Sequence, residues 1–126
     1  MTRLEFIEEC KTLSEEELHN IARESRERAE KRLPQETLDT FRTLDDVTSV
    51  EEIYVKTAFG DTHVFLVRAN EQPEGKHPVV VNVHGGGWTA AHGERDLFFC
   101  RRLAGRLHAL IVDVDYVLAP EYPYPA

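Results

Sequence analysis

Apolar side chains come at steps of three and four along the second half of the N-terminal segment: Leu18, Ile21, Ala22 and Ala29, with Ser25 in the same line. That is the period of an α-helix carrying one narrow apolar stripe. Thr2-x-x-Glu5 and Ser14-x-x-Glu17 both fit the capping box, in which hydroxyl and carboxylate each satisfy an N–H left orphaned at a helix start. Residues 1–33 are therefore predicted helical. Glu24 with Arg28 and Glu27 with Lys31 stand one turn apart and add only about 0.2–0.5 kcal/mol each. Pro34 breaks the pattern, and Leu38, Phe41 and Leu44 then recur at intervals of three, which a short helix or a loop fits equally.

From Val50 the period changes. Val50–Lys56 and Thr62–Ala69 are β-rich runs around Ile53-Tyr54-Val55 and Val64-Phe65-Leu66-Val67, joined by Ala58-Phe59-Gly60-Asp61. They predict an antiparallel hairpin, with His63 exposed at the sheet's edge and His77 in a loop. After the polar stretch Asn70–Lys76 comes Val79-Val80-Val81-Asn82-Val83, four valines in five residues. Such a run suits a short strand covered on both faces. Leu97, Phe98, Cys100, Leu103, Ala104 and Leu107 give a helix with a broad apolar face turned to a sheet, and Ala109–Tyr116 reads as a second buried strand. Strand, helix, strand in this order is a βαβ unit with a right-handed crossover. The fold class is α/β: helices over 1–48, then a core over 49–126 built of the hairpin and the βαβ unit.

Composition narrows the partners. The 126 residues carry a net charge of −8, the wrong sign for a nucleic-acid surface that must neutralise phosphates. No run of about 18 apolar residues offers a membrane span. The start, Met1-Thr2-Arg3-Leu4-Glu5, is acidic where a secretory signal is basic and then apolar, which points to the cytoplasm. Cys10 and Cys100 have neither metal-ligand nor redox spacing, so both are expected as free thiols, with Cys100 packing in its helix. His84, His92 and His108 supply no i, i+4 pair and no neighbouring Cys or carboxylate cluster; no metal and no cofactor is expected.

The chemistry sits where the valine strand meets His84-Gly85-Gly86-Gly87-Trp88. Residues without a Cβ can take φ > 0 and let another group approach their N–H groups, as a reactive oxygen anion would need. No Lys-Ser/Thr follows the glycines and there is no G-x-G-x-x-G, so a phosphate cradle is a poor match. His84 at the start of a turn is better placed to bond backbone than to reach a nucleophile's proton. Trp88 either edges a pocket or packs.

This turn and the later run Asp113-Val114-Asp115-Tyr116-Val117-Leu118-Ala119-Pro120-Glu121 resemble the hallmarks of α/β-hydrolase esterases and lipases of the hormone-sensitive-lipase type, the fold-3 group. The resemblance runs from Glu51 to Ala126 and covers the N-terminal part of that fold. It implies an oxyanion hole with donors at Gly86 and Gly87 and the bend at Gly85. It also implies loop support from His84 and from the Asp115-Tyr116 pair, a small-molecule acyl ester as substrate, and N-terminal helices that contribute to a cap. A surface helix lying on the sheet fits residues 1–33 equally. Val117 stands where the family has Arg, which removes a charged tether for the loop Leu118–Ala126.

No G-x-S-x-G occurs, and Ser14, Ser25 and Ser49 lie outside any strand-to-helix elbow. The nucleophile, acid and catalytic His, which follow in this fold's chain order, are expected beyond Ala126. The chain then reads as a fragment of a serine-type carboxylic-ester hydrolase; the alternative is an inactive binding module that keeps the scaffold. The family sheet places the 79–83 strand beside the nucleophile strand, so this edge is expected to be open and prone to self-association.

Overall fold

A computed structural model describes residues 2–30, 34–44 and 46–125. Helix α1 spans Arg3–Thr12 and α2 Glu15–Glu30. Both capping boxes close: Thr2 N donates to Glu5 Oε2 at 2.6 Å and Glu5 N to Thr2 Oγ1 at 3.3 Å, while Ser14 N and Glu17 N make the same exchange at 2.8 and 3.3 Å. Arg28 reaches Glu24 at 3.7 Å. Lys31, and the side chains of Cys10, Ala29 and Leu38, lie outside the described residues. The segment after Pro34 takes the helical option, α3 at Gln35–Arg42. Leu44 O then accepts Val47 N, Thr48 N and Thr48 Oγ1, which turns the chain into the sheet.

The sheet is mixed. Strand β1 (Thr48–Thr57) and β2 (Gly60–Ala69) form the expected hairpin, in register from Thr48↔Ala69 to Thr57↔Gly60. Gly60 holds φ 125° at the turn, a region that favours glycine. Then β3 (Val79–Val83), α4 (Glu94–Leu107) and β4 (Leu110–Asp115) make the βαβ unit. Strand order is β1-β2-β4-β3, with β4 antiparallel to β2 and parallel to β3.

Two readings are corrected by this order. β4 inserts beside β2, so His63 is interior to the sheet rather than on its edge, and its ring lies between Glu52 Oε2 (3.0 Å) and Asp115 Oδ2 (3.2 Å). The valine strand, in turn, is covered on one face only. Val80 packs toward α4, whereas Val79, Val81 and Val83 are 62%, 64% and 62% exposed, on the strand at the end of the sheet. Alternate residues of a strand point to opposite faces, so this bare row lies on the face of the sheet away from α4.

The core lies between α4 and the other face. Cys100 and Ala104 of α4 pack on Val67, Ala109 and Ile111, with Val50, Phe65, Leu97 and Leu103 around them. Burial, and then the Asp113 carboxylate, push the Cys100 thiol up to about 12, so it is an inert packing group. Phe98 departs from the expected sheet-facing role. Its ring stacks on Phe41 of α3 at 5.7 Å and thereby ties the N-terminal segment to α4.

Candidate functional site

β3 delivers His84 to a turn whose backbone is inverted for three residues: Gly86 has φ 136°, Gly87 φ 61° and Trp88 φ 61°. Gly86 cannot be exchanged. A Cβ there would collide with the Ala90 side chain and stand 3.3 Å from Ala90 Cα. That closeness arises because Gly86 O accepts Thr89 N (3.2 Å) and Ala90 N (3.1 Å), closing the turn on itself. Around Gly87, by contrast, the space is open. A left-handed tryptophan is strained by about 1–2 kcal/mol, and Trp88 is pinned there by Ala119 N, which donates to Trp88 O at 2.9 Å.

Within the turn the glycines act as acceptors, through Gly85 O and Gly86 O; among the described residues no acceptor takes the N–H of Gly85, Gly86 or Gly87. All three line a cavity of about 780 Å³, together with Trp88, Tyr116, Tyr122 and Tyr124 and the valines at 83, 114 and 117. Among the described residues no Asp, Glu, Lys or Arg lines it. Its walls can hold an uncharged ligand, and the glycine backbone supplies N–H groups there beside the side chains of His84, Trp88 and the three tyrosines.

His84 is buried beside the cavity. Its Nδ1 lies 3.0 Å from Gly85 O, so that nitrogen carries the proton and donates. The ring stacks on Tyr116 at 4.3 Å, and Tyr116 OH donates to His84 O at 2.9 Å. Burial, with the Asp96 and Asp115 carboxylates behind it, raises the Tyr116 phenol, which keeps it a donor. Asp115 stands apart from this group, its carboxylate turned to His63.

Behind the turn is a second polar cluster that no sequence motif marked. Asp113, fully buried on β4, accepts Asn82 Nδ2 at 2.7 Å and His92 Nε2 at 2.7 Å. The His92 ring stacks on Phe65 at 4.7 Å and meets His84 edge-on at 5.5 Å. Burial works against both charges. The mutual hydrogen bond, with Asn82 on one side and the Asp115 and Asp96 charges on the other, outweighs it, so Asp113 is lowered and His92 raised. Asn82 and Asp113 are opposite each other in the β3–β4 register, and a polar pair at matched positions of two valine-rich strands was the available signal. Among the described residues no three metal-ligating side chains gather, and no helix is long and apolar enough to cross a membrane.

The loop that lost a tether at Val117 has another. Arg26 of α2 donates through Nε to Thr89 O (2.8 Å), through Nη2 to Ala119 O (3.0 Å), and through Nη1 and Nη2 to both Glu121 oxygens (2.8 and 2.9 Å). One guanidinium thus joins α2, the segment after Trp88 and the 116–125 loop, while Leu18 and Ile21 of the helical stripe remain exposed and, among its described side chains, only Ala22 is buried. The Arg26 hydrogen bonds hold the Glu121 carboxyl down to about 2. Its folded value is depressed, so this anchor is fully present above the ordinary value of 4.5 and is lost as pH falls through about 2. Arg26→Met keeps the stem and removes the fork. For a solvent-screened pair worth about 1 kcal/mol the amides of residues 15–30 should exchange about fivefold faster by hydrogen exchange with mass spectrometry; unchanged exchange would mean that α2 is held by something else.

Comparison with known proteins agrees with this geometry. The family model of the alpha/beta hydrolase fold matches residues 80–126. The carboxylesterase NlhH of Mycobacterium tuberculosis is 49% identical over 49 residues, which is 39% of this chain and 15% of that protein. Probable carboxylesterase 11 of Arabidopsis thaliana is 43% identical over 53 residues, 40% of this chain and 12% of that one. Among solved structures, a hyperthermophilic esterase from the archaeon Pyrobaculum calidifontis matches with TM-score 0.66 and 31% identity, covering 83% of this chain and 33% of that chain. The chain thus spans about a third of that esterase. By these residues and this sheet, the chain is similar to the N-terminal part of α/β-hydrolase fold-3 esterases, the part that holds the glycine turn.

Proposed function

We propose that this chain forms the oxyanion side of a serine-type carboxylic-ester hydrolase. The observation that carries the reading is the inverted backbone at 86–88, where the glycine N–H groups have no acceptor among the described residues and stand at the wall of a cavity that none of the described Asp, Glu, Lys or Arg residues lines. When a nucleophile adds to an ester carbonyl, negative charge gathers on the oxygen. Fixed donors waiting there lower the barrier by roughly 3–4 kcal/mol each. Gly86 and Gly87 are the donors, Gly85 makes the bend, and His84 with Tyr116 keeps the turn in shape. Asp115 steadies the end of β4 through His63.

The attacking side comes from elsewhere. Ser14 caps α2, Ser25 lies on α2 and Ser49 on β1, and none lines the cavity. The nucleophile belongs to a strand that would continue the sheet past β3, which ends the strand order among the described residues. The substrate is an uncharged acyl ester, since a carboxylate or ammonium entering this cavity would find no counter-charge among the described residues that line it. In an assay with short p-nitrophenyl esters, the 126-residue chain should release no p-nitrophenol above buffer. A polypeptide that joins it to a Gly-x-Ser-x-Gly elbow with its acid and His should turn the ester over. A folded polypeptide of that kind, complete in these parts but inert toward uncharged esters, would falsify the reading.

A further inference from the structure

The turn is held from behind by a charged pair that the oxyanion role does not require. His92 lies eight residues past His84, where the chain returns to the sheet just before α4. Its Nε2 is fixed on Asp113 at 2.7 Å, its face on Phe65 and its edge against His84. Side-chain exposure is 7% for His92 and 0% for Asp113. Residues 84–92 are therefore a loop fastened to the sheet at both ends, by Tyr116 on His84 and by Asp113 on His92, with the three inverted residues between. We propose that the His92–Asp113 pair is a positioning element for the glycine turn, so that the protonation of His92 sets how firmly residues 84–92 are held against the sheet.

The groups facing His92 are Asp113 and Asp115 from β4, Asp96 from α4 and His84 at the turn, with the Cys100 thiol set against Asp113 and Tyr116 against His84. His63 of β2 stands beyond the Phe65 ring. The carboxylates favour the charged imidazole and raise its value above the ordinary 6.5. A raised value in the folded state means that the full charge pair is present below the ordinary value. It weakens to a neutral hydrogen bond as pH rises through the folded one. Asp113, which is lowered, stays ionised throughout that range. The turn should thus be held most firmly in mildly acidic solution and loosen toward alkaline pH.

The chain contains a built-in reporter, because Trp88 is its one tryptophan and sits on the turn itself. Trp88 emission, followed between about pH 5 and 9, should show a transition whose midpoint lies above 6.5 and coincides with the His92 midpoint measured by exchange of its imidazole C2 hydrogen. His92→Gln and Asp113→Asn, both near-isosteric, should abolish the transition while far-UV circular dichroism stays unchanged. A flat Trp88 signal in the unsubstituted chain, a transition at a midpoint different from that of His92, or one that survives in folded His92→Gln would overturn the proposal. Should the variants unfold, the comparison of the two midpoints in the unsubstituted chain still decides. None of these readings requires ester turnover, so they succeed or fail separately from the hydrolase reading, on which only the catalytic meaning of the turn rests.

Discussion

Gly86→Val, introduced into a polypeptide that hydrolyses p-nitrophenyl esters with this turn in place, should lower kcat by about 10²–10³ and change KM far less. Two separate obstacles meet at this position. The backbone sits at φ 136°, where side chains are rarely tolerated, and any Cβ runs into Ala90. Ala90 cannot retreat, because its amide is the donor that closes the turn on Gly86 O. The chain must therefore move residues 85–87, and with them the N–H groups at the cavity wall. Since those donors matter most when charge develops on the carbonyl oxygen, the loss falls on the transition state rather than on binding. Gly87→Ala is the internal comparison: the conformation at φ 61° costs about 1–2 kcal/mol for alanine, but the space is open. Its effect on kcat should be smaller than that of Gly86→Val. Equal changes in kcat and in binding for Gly86→Val would contradict the assigned role.

What could be read from the sequence was local, and what could not was set by distant partners. The hairpin follows from two β-rich runs and a glycine at the left-handed position, and the βαβ unit from a change of period between Val83 and Leu110; both needed only neighbouring residues. Whether β2 lies inside or at the edge depends on where β4 inserts more than forty positions later in the register His63↔Asp115. The spacing of His63 carries no trace of that. Arg26 is a similar case, for its partners are 63 to 95 residues away and its own helix shows only an acidic, weakly amphipathic face. Glu121 was visible as part of a motif, but nothing in that motif named the cation it would meet. The glycine turn itself was legible because its chemistry and its conformation have the same cause, the absence of a Cβ. The Asn82, Asp113 and His92 cluster lay between these extremes. Two polar residues in valine-rich strands were conspicuous, yet their meaning required the β3–β4 register and the return of the chain at His92.

That cluster also carries the largest expected effect on stability. His92→Ala leaves Asp113 ionised in a site with no access to water, and removing one partner of a buried pair typically costs about 3–5 kcal/mol. Against a total of about 5–15 kcal/mol for a domain, such a loss would leave little of the fold, and the midpoint of urea unfolding by far-UV circular dichroism should fall accordingly. Replacing the whole cluster should behave differently. In Asn82→Val/His92→Phe/Asp113→Val the valines continue the strands and a phenyl ring can keep the stack on Phe65, so no charge is stranded; the variant should be as stable as the parent, or more stable by up to about 4 kcal/mol. The contrast separates two reasons for keeping ions in a core. If the triple variant matches the parent while Trp88 no longer responds to pH, the charges are kept to place the turn and not to hold the fold together. A triple variant as unstable as His92→Ala would show instead that the pair contributes net stability, and a single variant that loses less than about 1 kcal/mol would mean that water or a neutral carboxyl already relieves Asp113.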